Sequence, residues 1–352
     1  MKVPAAPLAL DDLDRRIVAA LQLDPRASWS QIGKMVNTSE TTALRRVQRL
    51  RDTGALIISA SPDPQRCGFG QPVLLYFRTI PGMKESLADQ LAQRSDIRYV
   101  SQVTGRADVM CELIAPDSRY LADVLMHQLP KTELFSSSRT EVVLKRFKTR
   151  DQWSTTLLDG MKSTPDPGPQ MTDEQLPKLD STDLQILAGL SIDGRRSYAD
   201  LSTELGISET VVGRRMQSMM SAKQLEFVAM VDPTTLGFQM EAMLHLHVDL
   251  AKLDDTARAV AEMPQARYVS ATSGDSDLII DAVFRDASAL YDFVSATLGK
   301  LSGIRDVEID IVLEAIKRDY RYPLFSRVED RETEESVSAG SFTHAWRGPT
   351  LV

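Results

Sequence analysis

The 352-residue chain is an internal duplication. It aligns with itself without a gap at an offset of 169 residues, from near residue 10 to near residue 148 of the first copy. Chance does not hold one register over so long a stretch, so the fold must consist of two similar units, each the size of a domain pair. Residues that recur at this offset are Leu10, Asp11, Asp14, the segment 39–41, Arg45, Arg46, Gly68, Phe69, the segment 98–101, Gly105 and Asp108.

Composition narrows the class of protein. Hydrophobic residues make up 43% of the chain and charged residues 26%, as in soluble globular proteins. Apolar runs such as residues 73–77 are far shorter than the ~18 residues that a membrane helix needs. Cys67 and Cys111 lack the paired spacing of a disulfide framework or a zinc knuckle, which favours a cytoplasmic location. Because the net charge is −8, any surface that binds DNA has to be local.

Each unit begins with three helical segments, the last two of which flank a tight turn. In the first unit, Ser28 and Ser39 are suited to cap the second and third helices. Asn37 and, in the second unit, Gly206 tolerate the left-handed conformation that ends a helix abruptly. Two short helices around such a turn predict a helix-turn-helix in each unit, followed by a short extended wing.

The hydrophobic period then changes from helical to alternating. Segments follow in the order βαββαβ in both units, which predicts ferredoxin-like domains with two helices on one face of an antiparallel sheet. Apolar residues on both faces of the first strand indicate that sheet packs against sheet. The predicted α+β chain has winged helix-turn-helix domains at 10–60 and 179–230, ferredoxin-like domains at 68–150 and 237–325, a linker at 154–178 and an acidic mobile tail at 326–352.

These features together resemble the Lrp/AsnC family of leucine-responsive, or feast/famine, transcription regulators. The resemblance rests on RRVQRL in the third helix, a wing that ends near GFG, and a G-x-x-D pattern in the central hairpin of the βαββαβ domain. It implies a DNA-binding regulator that is not an enzyme, needs no cofactor and senses a small effector such as an amino acid. Members with one unit per chain pair through their sheets. This chain therefore resembles a tandem fusion. We expect chains to self-associate further through the ferredoxin-like domains, which are the sensor domains of the family.

The third helix of each unit is the candidate DNA-reading helix. In the first unit its arginines are predicted on the solvent side, where arginine binds guanine or phosphate and threonine contacts a thymine methyl group or a phosphate. A solvated helix face is the alternative. The second unit has Gln217 and Ser218 within the stretch that is arginine-rich in the first, so we expect it to bind DNA more weakly. The predicted contacts to double-stranded DNA are Ser39, Thr41, Thr42, Arg45, Arg46, Arg49, Ser208, Thr210, Arg214 and Arg215.

The central hairpin of each sensor domain is the candidate effector site, because the family resemblance implies that this loop binds a small molecule where sensor domains meet. Glycine lets backbone amides approach a carboxylate closely, and an aspartate accepts a hydrogen bond from an α-ammonium group. A glycine turn with a polar aspartate, which any hairpin favours, is the alternative. The second unit keeps the fuller pattern G-D-x-D that the resemblance implies, whereas the first unit has Arg106 in place of its first acid. The candidate residues are Gly105, Asp108, Gly274, Asp275 and Asp277.

Two other classes of protein stay open at this point. Some relatives of the family are sirohaem decarboxylases, which also occur as fused pairs, but the central strands here lack the histidine of that enzyme pattern. A sensor or scaffold that binds no DNA is the other class. His245 and His247 alternate on one strand face, a spacing compatible with a metal. No cysteine or acid motif accompanies them in the sequence, so we predict no metal site.

Overall fold

The structure is a computed structural model that describes residues 10–129, 133–149, 153–154, 158 and 176–318. Most of the predicted linker and all of the predicted tail lie outside the described residues. The first unit begins with the helices α1 (Asp12–Leu23), α2 (Trp29–Val36) and α3 (Glu40–Asp52). They are followed by β1 (Leu56–Pro62), β2 (Gln71–Thr79), α4 (Lys84–Gln93), β3 (Ile97–Val103), β4 (Val109–Ala115), α5 (Ser118–Asp123) and β5 (Phe135–Lys148).

The second unit repeats this order, which confirms the predicted α+β fold with a helix-turn-helix and a βαββαβ domain in each unit. Its helix-turn-helix helices are α6 (Ser181–Ile192), α7 (Tyr198–Leu205) and α8 (Glu209–Ser221). The remaining elements are β6 (Leu225–Val231), β7 (Met240–Val248), α9 (Leu253–Ala261), β8 (Ala266–Thr272), β9 (Leu278–Phe284), α10 (Ala287–Asp292) and β10 (Ile304–Arg318).

The helix ends form where the sequence predicts them. Asn37 and Gly206 end α2 and α7 in the left-handed conformation, with φ of 56° and 65°. Gly33 allows the tight approach of α3, since a side chain there would place its first carbon 2.8 Å from the carbonyl oxygen of Thr38. Reciprocal capping boxes, which satisfy the free amides at a helix start, begin four helices: Asp11 with Asp14, Ser28 with Gln31, Asp180 with Asp183, and Ser197 with Asp200.

The two sensor sheets close into one eight-stranded barrel within a single chain. The first unit supplies strands in the order β3-β4-β2-β5 and the second in the order β8-β9-β7-β10. The long strands β5 and β10 join the sheets, because each pairs first with its own unit and then with the other. β5 leaves β2 after Val142 and pairs with β8, while β10 leaves β7 after Val312 and pairs with β3. The predicted packing of sheet on sheet is therefore a strand exchange between the units, with bulges that bend both strands.

The helix-turn-helix domains are joined by a second shared element. β1 and β6 form a two-stranded antiparallel ribbon in which Leu56 pairs with Val231 and Pro62 with Leu225. The segments predicted as wings are thus two strands of one ribbon. Helix α1 packs against β6 and α6 packs against β1. Each helix-turn-helix domain, or head, therefore packs against a strand of the other unit.

Two arginines at equivalent positions of the repeat, Arg26 and Arg195, clamp the heads together. Each guanidinium donates two hydrogen bonds to carbonyl oxygens of the opposite head, and Arg195 also lies 4.0 Å from the ring centre of Trp29. Charged donors make stronger hydrogen bonds than neutral ones, and a guanidinium holds two of them in fixed geometry. The bonds run from Arg26 to Gly194 (2.8 Å) and Arg196 (3.0 Å), and from Arg195 to Pro25 (2.7 Å) and Ala27 (2.8 Å).

Two described residues of the predicted linker, Ser154 and Leu158, pack into the fold. The Ser154 amide donates to Gln22 Oε1 over 3.0 Å, and Leu158 is buried with Trp153 in the core of the first helix-turn-helix domain. The Trp153 ring stands edge-on to Phe238, with ring centres 5.2 Å apart. These contacts extend the fold past the predicted boundary at residue 154. Single apolar residues outside any helical or alternating period leave no signal of their burial in the sequence.

Candidate DNA interface and effector site

The exposed side of α3 is a shallow concave surface. The side chains of Ser39 and Thr42 cap the helix at one end: Ser39 Oγ accepts from the Thr42 amide (3.1 Å) and donates to Thr42 Oγ1 (2.8 Å). Both predicted contacts therefore have a structural role. The surface itself is lined by Thr41, Leu44, Arg45, Gln48, Arg49, Asp52 and Thr53, which includes three of the predicted DNA contacts.

Arg46 and Arg49 are bound to acids of α1. Arg46 pairs with Asp11 and Asp14, with 3.1 Å between its Nη1 and Asp14 Oδ1, and Arg49 also pairs with Asp14. The Asp14 side chain is buried, so these pairs compensate the burial of its charge and hold α3 against the start of α1. The capping amide of Asp14 and the Arg46 guanidinium keep the pKa of Asp11 below its usual value. The prediction that Arg46 points to solvent is wrong, because these acids draw it toward α1.

The second head has the same tether. Arg215 Nη1 lies 2.8 Å from both Asp180 Oδ2 and Asp183 Oδ1. Arg45 and Arg214, one residue earlier in each helix, are exposed. Within the described residues neither side chain makes a hydrogen bond or ion pair. These two arginines are therefore the recurring cations that stay available to DNA.

The reading faces of the two heads differ. Gly213 and Ser218 occupy the positions that Leu44 and Arg49 hold in the first head. A side chain at position 213 would place its first carbon 3.3 Å from the Tyr198 ring. Ser208 caps α8, and Thr210 is exposed beside it. The second head thus presents fewer cations than the first on this face, and its weaker binding to DNA stays a prediction.

The two candidate effector hairpins meet each other at the pseudo-two-fold axis of the barrel. Gly105 and Gly274 take positive φ of 89° and 100°, which the turn requires. Asp108 Oδ2 accepts from the Thr79 amide (2.9 Å), and Asp277 Oδ2 accepts from the Val248 amide (2.7 Å). Both aspartates thus anchor their hairpin to the neighbouring strand. Asp275 differs from them, because its carboxylate is 60% exposed and bridges Arg106 (3.3 Å) and Arg139 (3.1 Å).

Acids of the chain itself lie against the hairpin backbones. The Arg106 amide donates to Asp310 Oδ1 over 2.6 Å, and the Glu141 side chain packs against Gly274. Each acid comes from the long strand of the opposite unit. The hairpin amide that the sequence offered to an effector carboxylate is therefore engaged by Asp310, and the exposed polar atoms of this region belong to side chains at its rim.

The interior behind the hairpins is buried and polar. His245 Nε2 lies 3.1 Å from Asp310 Oδ2, and each side chain is 1% exposed. The Tyr76 ring stands edge-on to His245, with ring centres 5.5 Å apart. Burial raises the pKa of Glu141 to about 7, although Arg106 and Arg139 act to lower it.

Acids do accompany the two histidines in space. His247 lies with Asp306 and Glu308 in a group whose potential metal-ligand atoms are within 4.8 Å of one another. No local pattern in the sequence reveals this group, because the acids lie on β10, about 60 residues further along the chain. Glu308 Oε2 accepts from Arg106 Nε over 3.0 Å, so this carboxylate already balances a cation. The absence of a metal stays a prediction.

Buried ion pairs that were not predicted from the sequence recur in both units. Arg98 forms a bidentate pair with Glu112 at 2.8 and 2.9 Å, and its equivalent Arg267 contacts both Asp281 (2.7 Å) and Glu241. All of these side chains are buried. The available signal was an arginine that recurs within a strand segment of both units, since a charged side chain that is buried there needs a partner of opposite charge.

Two reading helices held over a paired sensor barrel define a DNA-binding transcription regulator with a ligand-binding domain. The model of the AsnC-type helix-turn-helix domain matches residues 10–51 and 179–220, and that of the Lrp/AsnC ligand binding domain matches residues 77–153 and 241–322. The chain belongs to the Lrp/AsnC family of transcriptional regulators.

Similar proteins in this family are about half as long as the chain. An uncharacterized HTH-type transcriptional regulator of Pyrococcus furiosus is 29% identical over 143 residues, which is 40% of this chain and 97% of that protein. The HTH-type transcriptional regulator LrpA of Pyrococcus horikoshii is 29% identical over 140 residues, which is 40% of this chain and 99% of that protein. Each aligns over the length of one unit of the duplication.

The whole two-unit fold is similar to a solved structure. The crystal structure of the siroheme decarboxylase NirDL has a TM-score of 0.60 and 12% identity, and the match covers 93% of this chain and 100% of that one. At this identity the likeness shows the fold alone. No helix in the described part of the chain is long and apolar enough to cross a membrane.

Arg45 and Arg214 are exposed, whereas Arg46 and Arg215 pair with acids of α1 and α6. We expect Arg45→Ala or Arg214→Ala to weaken DNA binding and reduce the slope of log affinity against log salt by about 1, with no change in melting temperature. Arg46→Ala or Arg215→Ala should lower the free energy of unfolding by about 1–3 kcal/mol, because acids that cap α1 or α6 lose a cation. Fluorescence-anisotropy salt titrations and thermal unfolding measure the two effects. A melting temperature unchanged in both Arg46→Ala and Arg215→Ala would contradict this assignment.

The raised pKa of Glu141 predicts a pH-dependent stability. The folded protein keeps a proton on Glu141 up to about pH 7, whereas the unfolded chain loses it near the usual value of 4.5, so this group makes stability fall as pH rises between these values. Glu141→Gln should match the wild type near pH 4.5 and exceed it by on the order of 2 kcal/mol at pH 8. Urea unfolding across this range checks the prediction. A difference that is constant with pH would show that Glu141 is ionised in the folded protein.

Proposed function

We propose that each chain reads an asymmetric operator with two unlike heads, and that a small zwitterionic effector, an amino acid in the first instance, modulates this binding from the sensor barrel. The observation that carries the proposal is the shared head assembly. The ribbon of β1 and β6 and the clamp of Arg26 and Arg195 hold two different reading helices in one arrangement.

The first head leads in binding DNA under this proposal. Its reading face has Arg45 and the partly exposed Arg49, whereas the second has Arg214 and Ser218 at the same positions. Each additional phosphate contact releases counterions and strengthens the salt-dependent part of the affinity. The natural operator then has two different half-sites in a fixed spacing, because helix-turn-helix pairs read half-sites at the separation that their own geometry sets.

The operator follows from selecting bound genomic fragments and dissecting one of them. We expect the natural site to bind more tightly than either symmetric site built by doubling one half. Inserting about 5 base pairs between the halves turns one half to the opposite side of the duplex and should reduce affinity at least tenfold. Gel shifts on these four DNAs measure the effect. Equal affinity for the natural site and both symmetric sites would refute unlike reading by the heads.

The effector site belongs, in our proposal, to the rim of the barrel where the hairpins meet. Asp275, Arg139 and Arg78 are partly exposed there, so both signs of charge lie within reach of one small molecule. An amino acid needs such a pair, because its carboxylate suits a guanidinium and its ammonium group suits a carboxylate. The ligand binding domain that the chain shares with its family supports a ligand in this part of the molecule.

A thermal-shift screen of single amino acids tests this site. We expect one of them to raise the melting temperature, and the rise to increase with ligand concentration as RT ln(1+[L]/Kd). Asp275→Asn should abolish the rise, whereas Asp254→Asn, at an exposed ion pair on α9, should leave it unchanged. A shift retained in Asp275→Asn places the effector elsewhere.

Two further points belong to the same proposal. The protein would act in the compartment that holds the chromosome, which is the cytoplasm of a prokaryotic cell.

Chains would also associate further through the outside of the barrel, where the equivalent residues Leu144 and Leu313 are both exposed at the bulges of β5 and β10.

A further inference from the structure

The charges at the meeting point of the two hairpins are sorted by unit. Arg106 and Arg139 belong to the first unit, and Asp275 and Glu308 belong to the second. The offset of 169 residues places Asp275 at the position of Arg106 and Glu308 at the position of Arg139. Two positions of the duplicated unit are therefore basic in one copy and acidic in the other.

These four residues contact one another only across the boundary between units. Arg106 Nη2 lies 3.3 Å from Asp275 Oδ2, Arg106 Nε lies 3.0 Å from Glu308 Oε2, and Arg139 Nε lies 3.1 Å from Asp275 Oδ2. The Arg106 side chain is 10% exposed, so its charge is largely removed from water. A buried charge is stable only with partners of opposite sign.

Two-fold symmetry shows what these contacts become in a pair of identical units. In such an interface a position near the axis faces itself, and every other contact occurs twice with its partners exchanged. Two first units would place Arg106 against Arg106 and against Arg139. Two second units would place Asp275 against Asp275 and against Glu308. All three contacts are attractive in the unlike pair and repulsive in either like pair, at a site where partial burial strengthens the repulsion.

The residues beneath these four charges also differ between the two units. Tyr76 meets its own equivalent, His245, edge-on at 5.5 Å. Arg106 Nη1 donates to Ser276 Oγ over 2.8 Å, and the first unit has Ala107 at the position of Ser276. A pair of first units would therefore lose this acceptor as well as the acids.

We propose that Arg106, Arg139, Asp275 and Glu308 are a pairing code that admits only a first unit with a second unit. Such a code excludes barrels made of two first or two second units from different chains. Every barrel then carries one head of each kind, held by the ribbon and the clamp. The code concerns assembly alone and does not depend on the proposed operator or effector.

Exchanging residues between equivalent positions of the full-length chain tests the code. The acidic half-swap combines Arg106→Asp with Arg139→Glu, and the basic half-swap combines Asp275→Arg with Glu308→Arg. The full swap contains all four changes, so that the first unit carries the acids and the second unit carries the arginines. The control combines Arg119→Asp with Arg285→Glu, at exposed positions of the first and second sensor domains, and changes the net charge as the acidic half-swap does.

Thermal unfolding without DNA or effector gives the first readout. We expect each half-swap to lower the melting temperature by roughly 5–10 °C, the control to change it by less than about 2 °C, and the full swap to recover at least half of the loss. Half-swaps that melt like the control, or a full swap that melts no higher than the half-swaps, would overturn the proposal.

Co-expression of the two half-swaps with different tags gives the second readout. Each unit of the acidic chain then finds a basic partner only in the other chain. The two chains should co-purify in clear excess over two differently tagged wild-type chains. Co-purification no greater than that of the wild-type chains would count against the code.

Discussion

Backbone hydrogen bonds between β5 and β8, and between β10 and β3, are the interactions on which the rest of the structure depends. They close two four-stranded sheets into one barrel and take both long strands out of their own unit. A four-stranded sheet alone has two open edges and a second apolar face without cover. Closure solves both problems at once, and it places the two central hairpins side by side at the pseudo-two-fold axis.

The arrangement of the heads follows from this closure. Once the sensor sheets are joined, the extended segments between heads and sheets lie close enough to pair as the ribbon of β1 and β6. The ribbon brings the turns of the two heads together, and there Arg26 and Arg195 each reach the carbonyl oxygens of the other head. Within each head, paired acids at the start of the first helix bind an arginine of the reading helix. Part of the apparent DNA-binding charge is therefore used to hold the reading helix in place.

Duplication within one chain frees the two copies to diverge. Where identical subunits meet on a two-fold axis, a residue must tolerate itself as a neighbour. In this chain the same positions carry Arg106 and Asp275, or Tyr76 and His245, and these unlike residues meet in the barrel. The heads have diverged as well, since Arg49 has its equivalent in Ser218. Asymmetry in the sensor and asymmetry in DNA reading thus have one origin.

The sequence by itself determined the duplication, the class of each domain and the family, because helix caps, glycine turns and hydrophobic period act over a few residues. It also identified the reading helices and the two hairpins. Only the tertiary structure decided that Arg46 and Arg215 bind acids of α1 and α6, that Asp108 and Asp277 anchor strands, and that acids of β10 stand beside His245 and His247. Each of these pairings joins residues that are distant in sequence, or depends on which backbone amide a side chain reaches. Such contacts are set by the exchange of strands between the units, and no local pattern encodes that exchange.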